Sequence, residues 1–238
     1  MIEVSGLTVR FGGVTPLDGM DVRFEAGTCG LIGPNGAGKT TFFNVLSGFV
    51  RPAGGSIQAF GENLLKMAHY RRARWGVRRT FQTEQAIEQL SIYDNVAMVH
   101  EQSKMSKGSR REETLEAIEF VGIRADPYAK VVTLGAAERR LVEVARAVVG
   151  EPRLVLLDEP AAGLPEDESE RLSAVIRKIP ERTGALTILV DHDMSLVSGC
   201  CETTAVLDFG KLISSGPTAD VLRDERVIRA YLGTEENV

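Results

Sequence analysis

The sequence predicts an α/β fold, and three observations carry that expectation. A glycine-rich segment, GPNGAGKT at 33–40, joins the apolar run 29–32 (CGLI) to the helix-like stretch 40–46 (TTFFNVL). Residues 154–157 (LVLL) form the short unbroken apolar run expected of a parallel strand buried on both faces. A segment of helical period, and then another strand at 186–190, follow it.

Composition sets the frame for these elements. The chain has 238 residues, 43% hydrophobic and 26% charged, which fits an ordinary folded protein and excludes a largely disordered one. Its formal net charge of −5 offers no global field for nucleic acid, so any basic surface must be local. No stretch approaches the roughly 18 apolar residues that cross a bilayer, and the opening MIEVSGLTVR alternates like a strand. Three cysteines, two of them the neighbours Cys200 and Cys201, suggest no disulfide framework and point to a reducing compartment.

In chain order, alternation over 2–9 and apolar positions in 20–24 and 29–32 predict three short strands, with turns at Gly12-Gly13 and Gly27. The helix after the glycine loop should end near Ser47-Gly48. Thr114, Leu115, Ile118, Val121 and Gly122 mark one helix face between the polar stretch 102–109 and a turn at Asp126-Pro127. Leu141, Val144, Ala145 and Val148 mark another helix. Pro165, followed by Glu166, Asp167 and Glu168, suits a helix start, with Leu172, Val175, Ile176 and Ile179 as its buried stripe. Residues 203–208 and 211–214 flank a turn at Phe209-Gly210, and Val221, Leu222, Val227, Ile228 and Tyr231 give a final amphipathic segment.

The chemistry concentrates at strand ends. Gly33, Pro34, Asn35, Gly36, Ala37, Gly38, Lys39 and Thr40 satisfy G-x-x-x-x-G-K-[ST] between a strand and a helix, the context in which backbone N–H groups cradle phosphates. Lys39 would supply charge to the β and γ groups, and the Thr40 hydroxyl would ligate Mg²⁺. Asp158 and Glu159 follow the apolar run, at the end of the sheet where α/β folds hold ligands. There Asp158 can hold a metal through water, and Glu159 can act as general base toward the attacking water. His192 closes the next strand, flanked by Asp191 and Asp193 as acceptors for its ring.

Taken together, GPNGAGKT at 33–40, TFQ at 80–82, LVLLDEP at 154–160 and VDHDM at 190–194 resemble the nucleotide-binding subunit of an ATP-binding-cassette transporter over essentially the whole chain. RRTFQ, DEPAAGL, DHDM and the terminal AYLG look more narrowly like the ATPases of branched-chain amino acid importers and their urea or amide relatives. SIYDN at 91–95 and the YLG ending are also similar to the ATPase of lipopolysaccharide export, which keeps an exporter in play. The resemblance implies one domain over 1–238. Its RecA-like phosphate-loop core would be built from about 1–82 and 151–238, with an N-terminal antiparallel β subdomain and an inserted helical signature subdomain over about 83–150. It implies ATP with Mg²⁺, Phe11 stacked on adenine, Thr41 beside the phosphates, Gln82 with Thr40 and water-mediated Asp158 at the metal, and His192 at the γ-phosphate, in catalysis with Glu159 and Lys39. It further implies a head-to-tail dimer on the cytoplasmic face of the membrane, transmembrane permease partners and, indirectly, a solute-binding protein.

Two departures from the family pattern stand out. The signature, usually Leu-Ser-Gly-Gly-Gln, aligns with Leu134-Gly135-Ala136-Ala137-Glu138. Gly135 lacks the donating hydroxyl, Ala137 adds a methyl, and Glu138 brings negative charge toward an anion. Pro165 replaces the usual polar residue after Ala162-Gly163-Leu164. This asymmetry favours a heterodimer with a second cassette ATPase bearing an intact signature; the alternative is that the helix N-terminus at Gly135 suffices.

Arg71, Arg72, Arg74, Arg78 and Arg79, interleaved with Tyr70 and Trp75, form a local basic cluster. A solvated helix and strand leading into Gln82, or a surface near lipid headgroups or a membrane partner, fits it better than a nucleic-acid patch, for no groove-reading module accompanies it. A soluble cassette ATPase of translation or repair would usually carry two cassettes or a long coiled-coil insertion, and a GTPase would carry a guanine-reading Asn/Thr-Lys-x-Asp; neither is found.

Overall fold

A computed structural model describes residues 1–102 and 106–232. In chain order its elements are β1 (Ile2–Phe11), β2 (Val14–Phe24), β3 (Thr28–Ile32), α1 (Lys39–Ser47), β4 (Gly54–Ala59), β5 (Glu62–Asn63), α2 (His69–Trp75), β6 (Val77–Arg79), α3 (Ile92–Ala97) and α4 (Lys107–Phe120). There follow α5 (Ala136–Val148), β7 (Leu154–Asp158), α6 (Glu166–Thr183), β8 (Leu186–Val190), α7 (Met194–Cys200), β9 (Thr203–Asp208), β10 (Lys211–Pro217), α8 (Thr218–Val221) and α9 (Glu225–Leu232).

The strands form two sheets. An antiparallel sheet runs β2-β1-β4-β5, and a six-stranded sheet runs β10-β9-β3-β8-β7-β6, parallel except for its edge strand β10. β1 buries Ile2 and Val4, then Leu7 and Val9. The parity changes because the register slips between Val4 and Leu7, where Gly6 takes φ 59°, so a bulge keeps the apolar side chains on one face. β2 is longer than the predicted 20–24: Leu17 joins Met20, Val22 and Phe24 in the core across a second left-handed glycine, Gly19.

β3, β7 and β8 are buried at every position, as unbroken apolar runs between two layers must be. Alternate residues serve different cores. Ile32, Val155, Leu157, Leu189 and Val206 pack with α3 to α7, whereas Leu31, Leu154, Leu156, Ile188, Val190 and Leu207 pack with α1 and the antiparallel sheet. The stretch between β6 and β7 carries α3, α4 and α5. α4 begins at Lys107, inside the expected polar stretch, with the Ser106 hydroxyl as its N-cap. The hairpin β9–β10 turns through Phe209 and Gly210 at φ 42° and 78°. The final amphipathic segment is two helices, α8 and α9, and Gly233 of the AYLG ending lies outside the described residues.

The basic cluster resolves into helix α2 and strand β6, and its Arg72 and Arg78 turn back onto main-chain carbonyls. Arg72 is buried and donates to the Val45 carbonyl, and at 3.0 Å to those of Leu46 and Met67, closing the C-terminal end of α1. Arg78 donates to the Ala73 carbonyl at 2.5 Å. Among the described residues no helix is long and apolar enough to cross a membrane. Cys29, Cys200 and Cys201 are buried free thiols.

Candidate functional site

The glycine loop lies between β3 and α1, and its glycines are required by close backbone approach. A Cβ at Gly33 (φ 149°) would run into the Leu207 carbonyl, and one at Gly38 (φ 108°) into that of Pro16. The Gly210 amide donates to the Ala37 carbonyl at 3.0 Å, and the Asp18 amide to the Gly210 carbonyl at 3.0 Å, so the β9–β10 turn braces the loop from behind. Helix α1 opens at Gly38 with no side-chain cap and no acid in its first turn, which leaves its N-terminal N–H groups for an anion. Lys39 is buried and its Nζ spans the loop, 2.5 Å from the Gly33 carbonyl and 2.9 Å from that of Pro34. Burial pulls its pKa down, against the charges of Glu159 and Asp158. Asn35, Gly36 and Thr40 are exposed, Pro34 and Ala37 are buried, and Thr41 is half-buried.

Asp158 ends β7 and is buried. Its Oδ2 accepts from Arg79 Nη2 at 2.8 Å, and its amide donates to Thr80 Oγ1 at 3.1 Å. Burial raises its carboxyl pKa, with the Arg79 hydrogen bond and charge opposing. Glu159 follows in a left-handed turn at φ 47°, its amide held by the Val190 carbonyl at 2.8 Å. A non-glycine residue in that region is strained, and Glu159 caps no helix, since α6 begins only at Glu166. Gln82 Nε2 donates to Glu159 Oε2 at 2.9 Å, so a residue that would pass as surface polar reaches the second carboxylate.

His192 stands beyond β8, the neighbour of β7, with its side chain 69% exposed. Asp191 Oδ1 lies 3.7 Å from its Nδ1 and accepts the His192 and Asp193 amides at 2.8 and 3.0 Å. The expectation that Asp193 orients the ring is corrected: its carboxylate caps α7 through the amides of Ser195 and Leu196. Phe11, at the end of β1, is 53% exposed and is no core aromatic. Leu134 is buried beneath the start of α5, Gly135 is its exposed N-cap, and Ala136, Ala137 and Glu138 form its first turn. The structure thus brings together Lys39, Asp158, Glu159 and Gln82, and the Glu159 amide donates to the Val190 carbonyl two residues before His192.

Sequence reasoning missed two groups. Arg79 reads in the sequence only as part of a basic cluster, yet its side chain is largely covered, bonded to Asp158 and to Asn44 Oδ1 at 2.7 Å, and packed against the rings of Phe43 and Phe81. Arg140, Glu143 and Arg146 hold the loop after Gln82 from α5. Their spacing of three, on the buried side of an amphipathic helix, was the available signal.

A family model described as "ABC transporter" matches residues 17–162, and one described as "Branched-chain amino acid ATP-binding cassette transporter" matches 211–237. The chain is 34% identical to the high-affinity branched-chain amino acid transport ATP-binding protein BraF of Pseudomonas aeruginosa, over 98% of each chain. It is 32% identical to the corresponding protein LivG of Escherichia coli K12, again over 98% of each. In fold it is similar to the crystal structure of the ADP conformation of an ATP-binding cassette of an ABC transporter, with a TM-score of 0.87 at 22% identity over 98% of both chains.

Proposed function

The chain belongs to the ABC transporter family as an ATPase subunit, and from that premise we propose that it powers the import of branched-chain amino acids or related small polar solutes. The observation that carries the ATPase chemistry is the convergence of the Lys39 ammonium, the uncapped start of α1 and the Asp158-Glu159 pair at one end of the sheet. The match at 211–237 favours import over the exporter reading.

In this reading the α1 amides and Lys39 grip the β- and γ-phosphates, and Phe11 offers its exposed ring to adenine. Glu159, held by Gln82, takes the proton of the attacking water, and His192 contacts the γ-phosphate. Thr40, Gln82 and water-mediated Asp158 are an all-oxygen set that suits Mg²⁺. Among the described residues no three His, Cys, Asp or Glu side chains gather into a metal cage, so this set fits a cation shared with bound phosphates. When bound, Mg²⁺ supplies charge neutralisation of the phosphate oxygens.

Residues 83–150 act as a helical arm. A groove of about 1480 Å³ between that arm and β6, lined by Tyr70, Arg74, Phe81, Gln85, Arg146 and Arg153, is the docking surface for a transmembrane permease. The chain lies against the cytoplasmic face of the membrane through that contact. Gly135, Ala137, Glu138 and Pro165 weaken what it offers a second nucleotide, while Lys39, Glu159 and His192 are present, so the dimer pairs it with a second cassette carrying an intact signature.

Affinity purification from native membranes in mild detergent, with every stoichiometric companion identified, tests the whole reading. Two permeases and a second cassette ATPase are expected. Recovery as a soluble homodimer, or with ribosomes or DNA, would remove the transport role.

A further inference from the structure

Arg79 is the last residue of β6, and its guanidinium ties the end of β7 to α1. Nη2 donates to Asp158 Oδ2 at 2.8 Å, while Nη1 donates to two side chains of α1, Asn44 Oδ1 at 2.7 Å and Ser47 Oγ at 3.4 Å. The guanidinium carbon lies 4.9 Å from the ring centroid of Phe81 and 5.5 Å from that of Phe43, and these cation–π contacts hold the fork in place. The next residue, Thr80, accepts the Asp158 amide on Oγ1 at 3.1 Å, and its own amide donates to the Leu156 carbonyl at 2.9 Å. The end of β6 thus holds Asp158 both by its main chain and by one carboxylate oxygen.

Among the described residues no hydrogen bond engages the other oxygen, Oδ1. A carboxylate pinned through one oxygen presents the second in a fixed direction, which is what a water in a cation's outer shell needs from its acceptor. Helix α1 also carries Lys39 and Thr40 in its first turn. Through Asn44 and Ser47 the same guanidinium therefore ties that acceptor to the helix bearing the Thr40 hydroxyl, so the two oxygens assigned to one cation keep one spacing.

We propose that Arg79 is a positioning residue for the cation: by gripping Asp158 Oδ2 together with Asn44 and Ser47, it sets the direction of Asp158 Oδ1 and so the gain in nucleotide affinity that Mg²⁺ brings. The proposal rests on the ATP-site reading above. The guanidinium also repels a cation, and its removal would relieve that repulsion. Positioning outweighs this, because a buried carboxylate stripped of its partner turns toward whichever charge is left, here Lys39, whose field already acts on Asp158. An Asp158 drawn to Lys39 is lost to the metal's water.

Titration calorimetry of adenylyl imidodiphosphate on the full chain, once in excess Mg²⁺ and once in EDTA, tests it. The readout is the ratio of the two affinities, since general damage to the phosphate loop lowers both alike. Loss of an outer-shell partner typically costs about 10–100-fold in metal affinity, so Arg79→Gln should cut the ratio about 10-fold or more while binding in EDTA persists. Arg79→Lys, which keeps the charge but cannot reach Asp158 and Asn44 together, should restore part of it. Should Arg79→Gln fail to fold, Asn44→Ala, which keeps the ion pair and removes its strut on α1, should still lower the ratio, by about 2- to 10-fold. A ratio that stays at the wild-type value or rises in the folded variant overturns the proposal, as does a wild type whose affinity Mg²⁺ leaves unchanged. No binding by the wild type in either condition overturns the nucleotide reading, and the proposal with it.

Discussion

Arg79 and Asp158 form a buried ion pair, Nη2 to Oδ2 at 2.8 Å, with both side chains 6% exposed. The partner of the carboxylate assigned to the metal's outer shell is thus an arginine of β6, three residues before Gln82. Removing one member of such a pair leaves an uncompensated buried charge, a cost of about 3–5 kcal/mol. Arg79→Met should lower the unfolding free energy by that amount in urea titrations, and adding Asp158→Asn should recover more than half of the loss. Additive losses in the double variant would show that the pair is not coupled.

Lys39→Ala removes an ammonium that already bridges the Gly33 and Pro34 carbonyls. Hydrogen bonds to charged groups contribute about 1.5–3 kcal/mol, so ATP affinity should fall roughly 10- to 150-fold. Titration calorimetry on the isolated chain would measure it, and unchanged affinity would refute the role given to Lys39.

Glu159→Gln keeps an acceptor for the Gln82 amide but removes the base. Turnover should drop by about 10²–10⁴ while ATP binding stays near wild type and the closed dimer accumulates. Steady-state phosphate release together with size-exclusion chromatography in ATP checks both halves, and wild-type turnover would remove the base assignment.

Asp191 provides a pH test. Burial raises its carboxyl pKa, against the amides of Asp193 and His192 and the charge of His192. The folded state therefore holds that proton more tightly than the unfolded chain. The stability this contributes is complete below the ordinary carboxylate value and is lost as pH rises through the raised one. Asp191→Asn does not titrate and keeps an acceptor for the two amides, so its stability relative to wild type should grow as pH rises from about 4 through the raised value. Thermal melts across that range would show it, and a difference flat with pH would contradict the assignment.

The elements most legible in the sequence were those whose burial is nearly complete or whose backbone is special. Residues 154–157 and 186–190 read as strands because burial on both faces demands unbroken apolar runs, and Gly33 and Gly38 read as a phosphate loop because only glycine tolerates their contacts. β4, β5 and the start of β2 were not legible, since their exposed faces and glycines leave short, broken alternation. The dual character of Arg79 was hidden too, for a sequence does not reveal which arginine of a cluster turns inward.

Local sequence alone determined the α/β class, the glycine loop, the Asp158-Glu159 pair and the histidine after the next strand, because each depends on neighbours within a few residues. Tertiary structure decided the rest: that Arg79 rather than solvent faces Asp158, that Gln82 reaches Glu159, and that α5 grips the Gln82 loop. Those partners lie far apart in sequence, and the choice among them is made by burial, since a desolvated charge must take whichever partner the packed sheet and helices bring within reach.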